Sequence, residues 1–357
     1  MSYYALNLSN SRDRTLYAQI ITDPRTIPNT TGVWTSAAAQ RVRFNTFGPI
    51  AGNGLNSPTY KTGFRSRLKG IRGRQGGSWT LQKPFFPSGA AGTRPDDDPI
   101  LQAIFGATGA VSAGVSVTYS LTDALNYLLF LDYNKTPGLT NPTNRYVMGA
   151  IPQSVKFTGG ANFLDMEISG GAVGVGDSVN FPYSGFDAPL AGKGSQASGL
   201  TTFPAEPTVT VNGNILPGFG SGAGFSIGGS TVYEVRGTAE INMEMGVEGV
   251  SDAVTDPYTI GFLGGERLIS VSNITCIDSD STLLNALKAA AFTKAPQTLA
   301  FTFGNVAGSI VTINLNNVQI GANSWEESGA GLNIKFGSSG ANATSITVTD
   351  EMNMVLT

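Results

Sequence analysis

Along most of this chain apolar residues alternate with polar ones. The apolar positions favour β-branched and aromatic types, and Gly, Asn, Asp or Pro stand between the runs. The alternation predicts strands over residues 114–121, 127–133, 154–158, 163–169, 208–211, 233–246, 267–274, 299–303, 309–320 and 331–336. Few of these are continuous apolar blocks, so antiparallel sheets with one covered face fit better than a buried parallel sheet. The stretch 238–246 is the clearest case. Period two puts Glu240, Asn242 and Glu244 on one face and Ile241, Met243 and Met245 on the other, so one side is buried and the other acidic.

Two short segments change to helical spacing. In the first, Asp98 is the expected N-cap and Pro99 the first helical residue. Ile100, Leu101, Ile104 and Phe105 form the apolar face, and Gly106 ends the helix. The second comes after an acidic run capped by Asp280 and covers 282–292, with Leu283, Leu284, Leu287 and Phe292 as its apolar residues. The strands downstream of the two helices also rhyme, one for one, which suggests a degenerate repeat longer than a hundred residues. The organisation expected is an extended N-terminal arm over 1–45, a first domain over 46–185, a Gly/Ser/Pro-rich linker over 186–205 and a second domain over 206–357. A second Gly/Ser-rich stretch lies at 218–229.

Composition removes several chemistries. The 357 residues hold no His and a single Cys276. The commonest general base and metal ligand are therefore missing, as is every Ser/His or Cys/His nucleophile pair and the Cys₂His₂ and Cys₄ zinc sites. Charged residues make up only 13% against 41% hydrophobic, which suits a folded core. No export leader and no long apolar span is visible, so a soluble protein without membrane association is expected.

Charge is unevenly distributed. Residues 1–95 hold 13 Lys or Arg against two acids, a net of +11, and residues 96–357 hold nine against 23, a net of −14. Such a split suits a nucleic-acid arm or a subunit whose basic region docks on the acidic region of a neighbour. Lys61, Arg65, Arg67, Lys69, Arg72 and Arg74 fall in a span without acids and are the expected inter-subunit contacts. They lack the aromatic interleaving of single-strand platforms. Gly192-Lys193-Gly194-Ser195 resembles a phosphate loop, but no strand leads into it and no helix comes after it. The run from Asp278 to Thr282 begins like a calcium loop, yet Leu283 stands where that loop needs Gly. Helix capping is the simpler account of this run and of Asp96-Asp97-Asp98. No catalytic residue, metal site or cofactor is expected, and the chain is read as a non-enzyme.

Several segments together resemble the two-domain tail tube (major tail) proteins of long, flexible-tailed bacteriophages. They are Tyr60 to Gly70 with Gly76 to Leu81, Asp98 to Gly106, Tyr127 to Asp132, Met148 to Phe157 and Leu164 to Gly171. Val232 to Val247, Asp280 to Phe292 and Leu299 to Leu315 carry it through the second half. The resemblance covers roughly residues 55 to 357 and leaves the arm outside. It implies a mainly β fold of two tandem tube domains, each two packed antiparallel sheets, barrel-like, flanked by one short helix. It further implies homotrimeric, pseudo-hexameric rings stacked into a helical tube that channels viral DNA, in the virion tail, after synthesis in the bacterial cytoplasm. The partners implied are other copies of the chain, the tape measure protein, the tail terminator and distal tail proteins, and viral DNA passing without sequence-specific binding. Within that picture Glu240, Asn242 and Glu244 are expected to face the lumen, where an acidic lining repels phosphates. Another β-rich viral shell or decoration protein is the alternative, and a carbohydrate hydrolase with paired carboxylates a more distant one.

Overall fold

A computed structural model of the chain describes residues 14–24, 39–52, 55–56, 71–72, 76–135, 144–159, 164–177, 206, 224–228, 232–233, 239–251, 259–272, 274–277, 282–293, 296–320, 325–327, 333–336, 346–347 and 352–357. The fold is mainly β, in several antiparallel sheets, with two short helices among the described residues. This is the class the alternation predicts.

Two layers form the larger core. The first runs β2 (Gln40–Val42), β1 (Arg14–Ile21), β9 (Tyr127–Asn134), the start of β10 (Arg145–Gly159) and β12 (Gly174–Asp177). The second runs β3 (Thr46–Gly52), β6 (Gly76–Pro84), β11 (Leu164–Ala172), the end of β10, β15 (Ala239–Glu244) and β18 (Leu268–Ser272). β10 therefore belongs to both layers. Its register shifts between Val147 and Ala150, and again between Pro152 and Ser154. Such irregularities bend a strand and let it pass from one sheet to another. Gly149 makes the first bend at φ 58°, where a Cβ would stand 2.2 Å from the Pro24 carbonyl oxygen.

Aromatic rings join the layers. Phe130 of β9 lies 5.0 Å from the Trp79 ring of β6 and 5.3 Å from the Phe47 ring of β3, and the Trp79 Nε1–H donates to the Gly171 carbonyl oxygen at 3.0 Å. The helix α1 (Asp98–Phe105) packs against β1, β9 and β10 with Ile100, Leu101, Ile104 and Phe105 buried. β9 is thus covered on both sides, and Leu128, Leu129, Phe130, Leu131 and Asp132 are all fully buried. Each large apolar side chain so buried contributes about 1.5–3 kcal/mol.

A further sheet runs β14 (Val232–Tyr233), β13 (Gly224–Ile227), β20 (Gln297–Phe303), β21 (Val311–Ile320), β25 (Met352–Leu356), β8 (Ser116–Ser120) and β7 (Ala110–Ser112), with β24 (Ile346–Thr347) beside β21. The helix α2 (Thr282–Thr293) packs against β21. Smaller sheets pair β16 (Val247–Ser251) with β17 (Thr259–Gly264) and β4 (Leu55–Asn56) with β5 (Ile71–Arg72). Another runs β19 (Ile274–Ile277), β23 (Asn333–Phe336), β22 (Trp325–Glu327), with β23 in the middle. Among the described residues strand pairing crosses the 186–205 boundary twice: β15 joins β10, and β25 joins β8.

Three local expectations are corrected. Within the segment 1–45, read as an arm, Arg14–Ile21 is an interior strand between β2 and β9 whose residues Thr15 to Ala18 are buried. Asp98 is the first helical residue and Asp97 holds the N-cap position, with no side-chain capping bond. Both carboxylates are engaged elsewhere: Asp97 with Lys83, and Asp98 with the Tyr119 hydroxyl at 2.6 Å and Gln102 Nε2 at 2.8 Å. Gly106 ends the helix in a left-handed conformation (φ 76°), as expected. On α2, Leu287 is buried but Phe292 is 91% exposed. Five residues turn a helix about 140° beyond a full turn, so the two cannot share a face. Asp280 and the expected strand at 208–211 lie outside the described residues.

Candidate functional site

The second layer is organised in rows that cross every strand. Register places Thr46, Gln82, Glu167, Lys156, Asn242 and Ser270 opposite one another in sequence from β3 to β18. The next row inward along the strands is Phe47, Leu81, Ile168, Val155, Met243 and Ile269, all buried. Because successive residues of a strand point to opposite faces, the sheet shows the core a face that is apolar but for Lys83, and turns a polar face outward.

Glu240, Asn242 and Glu244 lie on that outward face, while Ile241, Met243 and Met245 are buried as their alternation requires. Four acids, Asp165, Glu167, Glu240 and Glu244, share the face with one cation, Lys156. Lys156 Nζ lies 3.1 Å from Glu240 Oε1, a half-exposed pair. Partial burial raises the Asp165 carboxyl above its ordinary value. Sequence reading missed Asp165, Glu167 and Lys156 as members of the face, although Leu164-Asp-Met-Glu-Ile-Ser169 alternates just as β15 does. Among the described residues no group of His, Cys, Asp and Glu is placed to hold a metal ion.

Among the described residues β3 pairs only with β6 and β18 only with β15. Each border strand carries a large apolar side chain in solvent, Ile50 at 60% and Leu268 at 56% exposure. In the further sheet, β7 is a border strand with every residue exposed.

Of the expected basic contacts, Lys61, Arg65, Arg67, Lys69 and Arg74 lie outside the described residues, and Arg72 is placed only as a backbone partner of Leu55 in β5. A different basic group is assembled instead. Arg14, Arg41 and Arg43, with Thr15 and Asn45, line an open pocket of about 420 Å³. Two of the three have acidic partners. Arg43 reaches Asp96 at 3.9 Å, and Arg14 Nη1 donates to Asp132 Oδ2 at 2.7 Å. Arg145 Nε donates to the same oxygen at 2.8 Å, and Asp132 Oδ1, fully buried, has no hydrogen-bond partner among the described residues. No family model matches the chain, and no curated protein matches it.

Proposed function

We propose that the chain is a tail tube subunit of the long flexible-tailed bacteriophage type, a structural virion protein rather than an enzyme. It assembles with copies of itself into trimeric rings that stack around a channel for viral DNA. One observation carries the reading: a single antiparallel sheet draws strands from both halves of the chain, presents an acidic polar face, and among the described residues ends at two borders with no further strand partner, β3 and β18, each with an exposed apolar residue. Exposed strand borders favour pairing with another chain, and closing a sheet on itself removes them. Joining β18 of one copy to β3 of the next is a head-to-tail contact, which makes a ring when the rotation closes. The face bearing Glu240, Asn242 and Glu244 then lines the lumen, where four carboxylates against one ammonium repel phosphates and let DNA slide. The tape measure, terminator and distal tail proteins are the partners this reading brings with it.

Negative-stain electron microscopy of the purified chain tests the proposal. Hollow rings or tubes are expected, lost in Ile50→Lys and Leu268→Lys chains that keep the parent circular dichroism. Flat or icosahedral lattices would favour another β-rich viral shell or decoration protein. A chain that stays monomeric at high concentration would refute self-assembly altogether.

A further inference from the structure

Lys83 is a charged residue in the apolar half of the second layer. Its row continues through Met166, Phe157, Ile241 and Val271. The Lys83 side chain is 0% exposed and that of Asp97 1%. Lys83 Nζ touches Asp97 Oδ1, while Asp97 Oδ2 is turned to the backbone N–H of Phe86 at 3.5 Å. The Phe86 ring covers the amine, its centroid 5.3 Å from Nζ. A second buried carboxylate, Asp96, is next to Asp97 in the chain, acts on the Lys83 amine through its charge, and is reached by Arg43 at 3.9 Å.

An ion pair in so dry a place is poorly stabilised, because desolvation of the two charges offsets their attraction. Burial pushes the Lys83 amine below its ordinary value, against the pull of Asp97 and Asp96. A neutral amine is a nucleophile, and holding it against a carboxyl carbon supplies the effective concentration that a bimolecular reaction lacks.

We propose that Lys83 and Asp97 condense after folding into an intramolecular isopeptide bond, an amide between Lys83 Nζ and Asp97 Cγ that staples β6 to the segment entering α1. The Lys83 ammonium passes one proton to Asp97 Oδ1, leaving a neutral amine and a carboxylic acid. The Nζ lone pair attacks Cγ and the N–C bond forms. Asp96 takes a second proton from Nζ and returns it to the Oδ1 hydroxyl, which leaves as water when the C–O bond breaks. Oδ2, oriented by the Phe86 N–H, becomes the amide oxygen. The third proton stays on the amide nitrogen, and Asp96 ends unchanged. The product replaces two buried charges by one neutral amide.

Mass spectrometry of the folded full-length protein tests this directly. The expected chain is lighter than its sequence by one water, and its chymotryptic map, in which cleavage after Phe85 otherwise parts the two residues, contains a branched peptide joining residue 83 to residue 97. A peptide map showing Lys83 and Asp97 in separate, unmodified peptides overturns the proposal, as does a water loss mapped elsewhere. Asp96→Asn tests the proton relay: a larger fraction of chain at full mass is expected, and cross-linking as complete as in the parent removes Asp96 from the mechanism. These readouts do not depend on ring formation, so they stand or fall apart from the tail tube reading.

Discussion

β9 and β15 are both interior strands of antiparallel sheets, yet they are built on different rules. β9 reads Tyr-Leu-Leu-Phe-Leu-Asp-Tyr-Asn and is buried almost throughout, with sheet on one side and α1 on the other. β15 reads Ala-Glu-Ile-Asn-Met-Glu and is buried only at every second residue. A strand that keeps a polar face next to so much apolar surface leaves that face for water or for what passes over it. The layer containing β9 holds the molecule together, and the layer containing β15 presents a surface.

That contrast can be broken from the core side first. Trp79→Ala removes the ring that joins the layers and its bond to the Gly171 carbonyl, and is expected to cost about 3–5 kcal/mol in a denaturant titration. Asp132→Ala comes next. It leaves Arg14 and Arg145 without the buried carboxylate they share, for an expected loss of about 3 kcal/mol by the same measurement.

A smaller effect sharpens the comparison at α1. Burial, followed by the Asp98 carboxylate, holds the Tyr119 hydroxyl protonated well above its ordinary value. Both folded and unfolded chains keep that proton below about pH 10, where the contribution is fully present. Above it the unfolded chain releases the proton first, so stability falls as pH rises. Tyr119→Phe is expected to lose about 1.5–2 kcal/mol near neutrality and to flatten the alkaline fall in thermal melts. At the other extreme, Glu240→Gln on the polar face is expected to shift stability by no more than about 1 kcal/mol, because its pair with Lys156 is half-exposed. A loss as large as that of Trp79→Ala would show that this face is structural after all.

Strands with one face in water were legible because their alternation is written into the residues: 163–169 and 299–303 coincide closely with β11 and β20. β1 was not legible as an interior strand. Thr-Leu-Tyr-Ala-Gln-Ile-Ile lacks alternation because both of its faces are covered, with α1 packed against it, and the strand it pairs with, β9, lies more than a hundred positions away. The acidic half of the candidate face was readable in β15, but only register could bring Glu167 and Lys156 into its rows. Lys83 left a trace that composition hides: it follows Trp79 and Leu81 at period two, which assigns an ammonium to the inward face. The Arg14, Arg41 and Arg43 group had no comparable local signal, since its members come from separate strands and a connecting segment.

β10 is shared by both layers, its first residues paired with β9 and β12 and its last with β11 and β15. Neither layer can therefore loosen without dragging the rungs of the other. Amide protons along 145–159 should exchange with solvent only when the whole core opens, at one common free energy, which makes this part of the chain a single cooperative unit.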